Sequence, residues 1–345
     1  MWIYCLGGGL SILLCKLFNS KEVVRNIYLR ALLIALPLFV LSAFRYGVGT
    51  DYFNYLRHFR EFYQFGIRHG TEFGWYLMNY SISWFGLPEQ FIFIISSAIY
   101  LIAVFVFLLR VSPNPGCSIF LLVFMGHFFF SMNGVRQAIA DAIVCACLPF
   151  FLEKKYWQFS LGIFLASLFH TVALIFGLAV VLFDLIRLRR ENVLFYTIIW
   201  IVSIPISIFL THSMIAGTHY EMYISYKDLA LTSSKILGFL IYVGICILAT
   251  YFYSNKYYYI FYYRFIVISV WLSILGFTWG TVAGRLKSSF SLPLIVLIPM
   301  IIANIENERT RRLCTVFVLL FYISYSFIKS YFGWLHSSTP YQFCF

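Results

Sequence analysis

What most limits the fold of this chain is a near-continuous succession of apolar runs long enough to cross a bilayer. A helix that spans the hydrocarbon core needs about 20 predominantly apolar residues. Runs of that length, or a little shorter, occupy 2–18, 27–43, 89–109, 117–131, 135–152, 156–169, 171–186, 194–211, 236–254, 260–279, 286–303 and 313–332 of the 345 residues. No polar stretch between them is long enough to build a soluble domain. Backbone N–H and C=O groups inside a bilayer must be satisfied within the protein, so spans of this length are helices. The expectation is one all-α polytopic membrane domain with about twelve transmembrane helices. The run 2–18 lacks the basic leading region of a cleaved signal and is expected to be kept as a span. The charged fraction, 11%, is under half that of a soluble domain, about a quarter.

The net charge of +12 belongs to cytoplasmic loops under the positive-inside rule, not to nucleic-acid binding. With twelve spans and the N-terminus outside, Lys16, Lys21, Arg25, Arg30, Arg110, Lys154, Lys155, Arg187, Arg189, Arg190, Lys256, Arg309, Arg311 and Arg312 all fall on the cytoplasmic side. This count requires that 71–88 not cross. That segment is short, carries Glu72 and Asn79, and fits a re-entrant or interface-lying piece. The block 156–186 is basic at both ends, so two helices with a turn at His170-Thr171 are expected, with one tilted helix as the alternative. The eight cysteines lie mostly in apolar runs without CxxC or Cys/His metal spacing, and are expected to be small core residues.

The chemistry-bearing residues gather on the outer face in 44–88, 133–137, 170–171, 212–235 and 280–287. The densest patch runs Phe44-Arg45-Tyr46-Gly47-Val48-Gly49-Thr50-Asp51-Tyr52-Phe53-Asn54-Tyr55. After it, Tyr52, Tyr55, Leu56, Phe59, Phe62 and Tyr63 recur at helical spacing, predicting an amphipathic helix lying in the headgroup plane over 51–66. Asp51 at its N-terminus is either a plain cap or a cap that also serves as a base. Arg45, Arg136 and Arg285 each stand at a span end. Each could snorkel to headgroups; together on one face they suit a phosphate, which guanidinium binds with paired hydrogen bonds. Asp141 is expected to form a structural ion pair, with Arg136 or another arginine. His170 is either a satisfied core histidine, a phosphate donor or a base. Tyr52, Tyr55, Tyr220 and Tyr223 offer flat amphipathic surfaces of the kind that contact sugars. There is no Walker A loop, HExxH motif or Asp-x-Asp pair, so arginines, and not a metal or other cofactor, are expected to stabilise a leaving group.

Five motifs in order carry a likeness. They are Arg45-Tyr46-Gly47-Val48-Gly49-Thr50-Asp51-Tyr52 with Tyr55, Thr71-Glu72-Phe73-Gly74, Val135-Arg136-Gln137-Ala138-Ile139-Ala140, Leu165-Ala166-Ser167-Leu168-Phe169-His170-Thr171, and Ala283-Gly284-Arg285. In these the chain resembles the EpsG-like branch of the Wzy-type bacterial polysaccharide (O-antigen) polymerases. It departs from the pattern at Thr171, where the family often has Ser. The resemblance implies a GT-C-like fold in the bacterial inner membrane. It also implies metal-independent glycosyl transfer at the periplasmic face. A growing glycan on undecaprenyl diphosphate is donor, and one lipid-linked repeat unit is acceptor. On that reading Arg45, Arg136 and Arg285 bind diphosphate, and Asp51, His170 or Glu72, in that order, takes the acceptor's proton. The expected partners are the two lipid-linked glycans, membrane lipid and a chain-length regulator. A lipid-linked oligosaccharide flippase and an O-antigen ligase are the alternatives. A flippase would place its charges near the bilayer midplane, and a ligase would need a large outer loop.

Overall fold

The apolar runs fold as helices in the computed structural model, which describes residues 1–18, 24–65, 71–186, 190–215, 232–332 and 338–344. The helices are α1 (Trp2–Phe18), α2 (Ile27–Ala43), α3 (Tyr52–Phe65), α4 (Phe73–Trp84), α5 (Phe91–Val111), α6 (Pro115–Phe124), α7 (His127–Ser131), α8 (Val135–Leu152), α9 (Tyr156–Ser167), α10 (Val172–Ile186), α11 (Val193–Ile215), α12 (Ser233–Tyr251), α13 (Tyr257–Ser291), α14 (Leu294–Ala303) and α15 (Glu308–Tyr331). Among the described residues there is no strand. Five helices there are long and apolar enough to cross a membrane, or six if the bent pair Val282–Ser291 and Leu294–Ala303 is one span. The chain is thus a polytopic helical membrane protein. All eight cysteines are free thiols.

Several predicted runs are subdivided. The run 117–131 breaks at Met125–Gly126 into α6 and α7. The block 156–186 is two helices, α9 and α10, and not one tilted helix. The run 286–303 is bent by 46° at Leu292-Pro293, where proline cannot continue the preceding hydrogen-bond ladder. Helix α4 has 12 residues, about 18 Å, too short to span. It lies within the polar segment that the charge count kept from crossing.

Two compact units divide the chain: Met1–Gly177 with Asn307–Phe345, and Leu178–Glu306. In the first, α5 is the hub, packed by α2 and α8, with α1 on α2 and α9 on α8. Small hydroxyls allow close approach of α2 and α5, where Ser42 Oγ and Ser97 Oγ lie 2.6 Å apart, as expected where helices pack in lipid. Helix α3 packs beside α4. Its aromatic face meets protein: Tyr52 stacks on Phe93, Tyr55 meets Trp75 edge-on and Phe62 lies against Tyr76. The helix expected to rest its aromatic face on lipid instead rests these rings on α4 and α5.

In the second unit α11, α12 and α14 pack on α13. Trp200 and Trp271 stack, and Trp200 Nε1 donates to Trp271 O at 3.2 Å. Helix α13 is broken at Gly280, whose φ of 52° and ψ of −125° suit glycine alone. The helix resumes at Val282, which places Arg285 in its first turns.

Candidate functional site

The site is built where the C-terminus of α2 meets the N-termini of α3, α4 and α8. A helix leaves its last four carbonyls without intrahelical partners, and next to lipid each needs another donor. In α2 all four are accounted for. Val40 O accepts the Phe44 N–H at 3.2 Å. Leu41 O accepts the Tyr341 hydroxyl at 2.9 Å. Ser42 O accepts Arg45 Nη1 at 2.5 Å, and Ala43 O accepts Gln90 Nε2 at 2.6 Å.

Arg45 is the centre of this junction. It is 1% exposed. Besides Ser42 O, its Nε donates to Val48 O at 3.2 Å and its Nη2 to Met132 O at 3.1 Å. Its guanidinium lies 4.3 Å from the Phe93 ring centroid, a cation–π contact. Burial lowers its pKa to about 10, which leaves it cationic at neutral pH. The loop it holds passes so near the α7–α8 turn that a Cβ at Gly49 would sit 2.9 Å from Met132 O, and φ there is 103°. Only glycine fits both demands.

Asn133 ties the second junction. Its Oδ1 accepts the Asp51 N–H at 3.0 Å and the Thr50 hydroxyl. Its carbonyl accepts the Tyr55 hydroxyl at 3.0 Å, and the same hydroxyl accepts the Val135 N–H at 3.1 Å. Asp51 thus begins α3 with its backbone held from outside. Its carboxylate is partly exposed and accepts from Asn54 Nδ2 at 3.4 Å. Burial raises the Tyr55 pKa, so its hydroxyl keeps its proton. Tyr52 is 1% exposed, donates to Gln90 Oε1 at 3.2 Å, and has its pKa pushed up to about 12, mainly by burial.

Arg136 lies in the first turn of α8, whose N-cap residue, Gly134, has no side chain and whose first N–H, on Val135, goes to the Tyr55 hydroxyl. Its Nη1 meets Glu72 Oε2 at 2.5 Å, with the two side chains 37% and 15% exposed. Glu72 is at the N-cap position of α4 but makes no capping bond; its carboxylate goes to the arginine. The partner of Arg136 is therefore Glu72, while Asp141, further along α8, is buried. The Gly74 N–H of α4 donates to Leu168 O at 2.7 Å. That bond sets the first turn of α4 against the α9–α10 turn bearing His170. His170 Nδ1 accepts the Val172 N–H at 3.2 Å. A neutral ring that accepts at Nδ1 carries its proton on Nε2.

The first unit therefore brings Arg45, Asp51, Tyr52, Tyr55, Glu72 and Arg136 to adjoining helix ends, with the His170 turn tied to α4. Arg285, exposed on α13, is in the second unit; two residues on, Lys287 Nζ lies 5.3 Å from the Tyr242 ring centroid. Tyr220 and Tyr223 lie outside the described residues. Sequence reasoning missed Gln90, which holds Ala43 O, Arg45 O and the Tyr52 hydroxyl together. Its signal was a polar side chain at the start of an apolar run.

An ionic cluster where helix ends meet, on a bundle of apolar helices, marks a polytopic helical membrane protein. The chain belongs to the EpsG family, whose model matches residues 28–343. That family is one of glycosyltransferase-like polysaccharide polymerases. No curated protein and no solved structure matches the chain.

Proposed function

We propose that the chain is a Wzy-type polymerase of about twelve spans and GT-C-like fold, working at the periplasmic face of the bacterial inner membrane. It transfers a growing glycan from undecaprenyl diphosphate to a hydroxyl of the next lipid-linked repeat unit, as in O-antigen synthesis. The carrying observation is the Arg136–Glu72 pair in the first turn of α8. A helix N-terminus already favours negative charge. A guanidinium placed there deepens that preference, and Glu72 answers it with one carboxylate. A diphosphate brings more charge and more oxygens than Glu72, so it suits the fork of Arg136.

In the reaction the acceptor oxygen forms a bond to the donor's anomeric carbon as the bond from that carbon to the diphosphate oxygen breaks. Diphosphate leaves as an anion held by Arg136, and the likeness of the Ala283-Gly284-Arg285 motif to the family's gives Arg285 a diphosphate role as well. The acceptor's proton goes to Asp51, whose carboxylate can take it from a hydroxyl within hydrogen-bond reach. Glu72 orients Arg136. His170, with Nε2–H, serves as a hydrogen-bond donor to phosphate. Arg45 acts through the loop it holds.

Complementation of a strain deleted for the gene tests the reading. The wild-type chain is expected to restore polymer. Arg136→Ala and Arg285→Ala are expected to abolish polymer at normal membrane levels of protein. The deletion strain is expected to export single capped repeats; their absence outside would favour a flippase. Wild-type polymer length from Arg136→Ala would refute its diphosphate role.

A further inference from the structure

The segment Ser338–Cys344 folds back on the end of α2. It forms an antiparallel bridge between Phe343 and Arg45. The Tyr46 N–H donates to Gln342 O at 2.8 Å, and the Cys344 N–H donates to Phe44 O at 2.9 Å. The Tyr341 hydroxyl reaches Leu41 O. The far end of the segment is fastened too: Ser338 is fully buried, and its carbonyl accepts the Tyr4 hydroxyl of α1 at 2.7 Å. Tyr4 also meets the Tyr341 ring edge-on.

These bonds are not interchangeable with others in the loop. Arg45 and Gln90 already serve Ser42 O, Ala43 O and Arg45 O. Two further carbonyls, Leu41 and Phe44, and the Tyr46 N–H take their partners from the tail. What the tail holds is the stem of the loop that bears Arg45, Gly49 and Asp51. From Arg45 the path continues through Met132 O to Asn133, which fixes the Asp51 N–H, and through Tyr55 to Val135, next to Arg136.

We infer that residues 338–344 are a positioning strap of the candidate site, holding by backbone pairing the loop that places Asp51 and the α7–α8 turn that places Arg136. The inference rests on the polymerase reading for its activity arm and on structure alone for its exchange arm. Main-chain hydrogen bonds from an extended segment are a known way to hold a backbone edge.

The test compares Cys344→Pro with Cys344→Ala in the full-length protein. Proline removes the N–H that Phe44 O accepts, whereas alanine keeps it. Two quantities are read: hydrogen exchange of 41–55 and 132–137 in detergent-purified protein, and polymer formed per folded protein in the deletion strain. Cys344→Pro is expected to speed exchange in both segments and to cut polymer about twofold to threefold, the lower end of the scale of one lost hydrogen bond. Cys344→Ala is expected to match wild type in both. If Cys344→Pro does not accumulate, Tyr341→Phe, which loses only the hydroxyl on Leu41 O, is expected to shift both readings in the same direction. Unchanged exchange, or faster exchange with wild-type polymer, overturns the inference, as does an alanine variant as impaired as proline. If wild-type protein restores no polymer, the polymerase reading fails, and the exchange arm still decides whether the tail holds the loop.

Discussion

Arg45 and Arg136 stand in similar sequence settings, each near glycine at the edge of an apolar run, and the structure uses them in opposite ways. Arg45 follows the C-terminus of α2, where free carbonyls point outward. Its Nε, Nη1 and Nη2 all donate to carbonyls, and it is 1% exposed. Arg136 sits at the N-terminus of α8, where backbone N–H groups point outward and offer a guanidinium nothing. It turns to Glu72 and stays 37% exposed in its side chain. The helix end decides the outcome. At a C-terminus the cation is welcome and its donors are absorbed by the fold; at an N-terminus it opposes the dipole and calls for an anion. One arginine is therefore architecture, and the other is the one proposed to meet a ligand.

The sharpest way to break this contrast is Arg45→Ala. It leaves Ser42 O, Val48 O and Met132 O without the guanidinium they accept from. Each buried carbonyl so stranded costs about 1–3 kcal/mol, against a total stability of roughly 5–15 kcal/mol. Little folded protein is expected, measured as monodisperse protein after detergent extraction. A normally abundant Arg45→Ala protein that lacks only polymer would place Arg45 in the substrate site and erase the distinction.

The next effect belongs to the other side of the comparison. Asp51→Asn keeps the backbone N–H that Asn133 accepts and loses only the basic carboxylate. Folded protein is expected at wild-type amounts, with polymer reduced about 100-fold or more, the usual contribution of a general base. Polymer within a few-fold of wild type would reduce Asp51 to a local partner of Asn54 and pass the proton to another group.

The same contrast marks what the amino-acid order discloses. Helix positions were legible because span length and apolar content are local properties: the runs at 2–18, 27–43 and 135–152 return as α1, α2 and α8. The pairing of Glu72 with Arg136 was not legible. Both residues stood out, but which carboxylate meets which arginine depends on how α4 is set against the α9–α10 turn, through the Gly74–Leu168 bond. The separate fates of Arg45 and Arg136 depend on which helix end each adjoins. A run's direction shows that, yet charge counting along the membrane ignores it. The tail's pairing with residues 44–46 joins chain segments almost 300 positions apart by backbone atoms alone, and backbone pairing of one residue leaves no side-chain pattern. Tyr52 and Tyr55, expected at a sugar surface, show their rings against Phe93 and Trp75, because an amphipathic pattern says which face is covered and not by what.

Tyr55→Phe carries the smallest expected effect and divides those two uses of a tyrosine. The hydroxyl bridges the α7–α8 turn, donating to Asn133 O and accepting from Val135 N–H. Burial raises its pKa, so it remains a neutral donor through and above neutral pH, and no loss of this bridge is expected on mild alkalinisation. Phenylalanine keeps the edge-on contact with Trp75 and gives up two hydrogen bonds in a part-buried place. A loss of about 1–2 kcal/mol follows, read as a lower thermal midpoint of the purified protein. Polymer per folded protein is expected to fall by no more than the slackening of Arg136 allows, within about threefold of wild type for a shift of well under 1 kcal/mol at the reacting centre. A large fall in polymer with an unchanged midpoint would mean that the hydroxyl leaves Asn133 to contact substrate, and Tyr55 would then join Arg136 on the side of the comparison that handles the ligand.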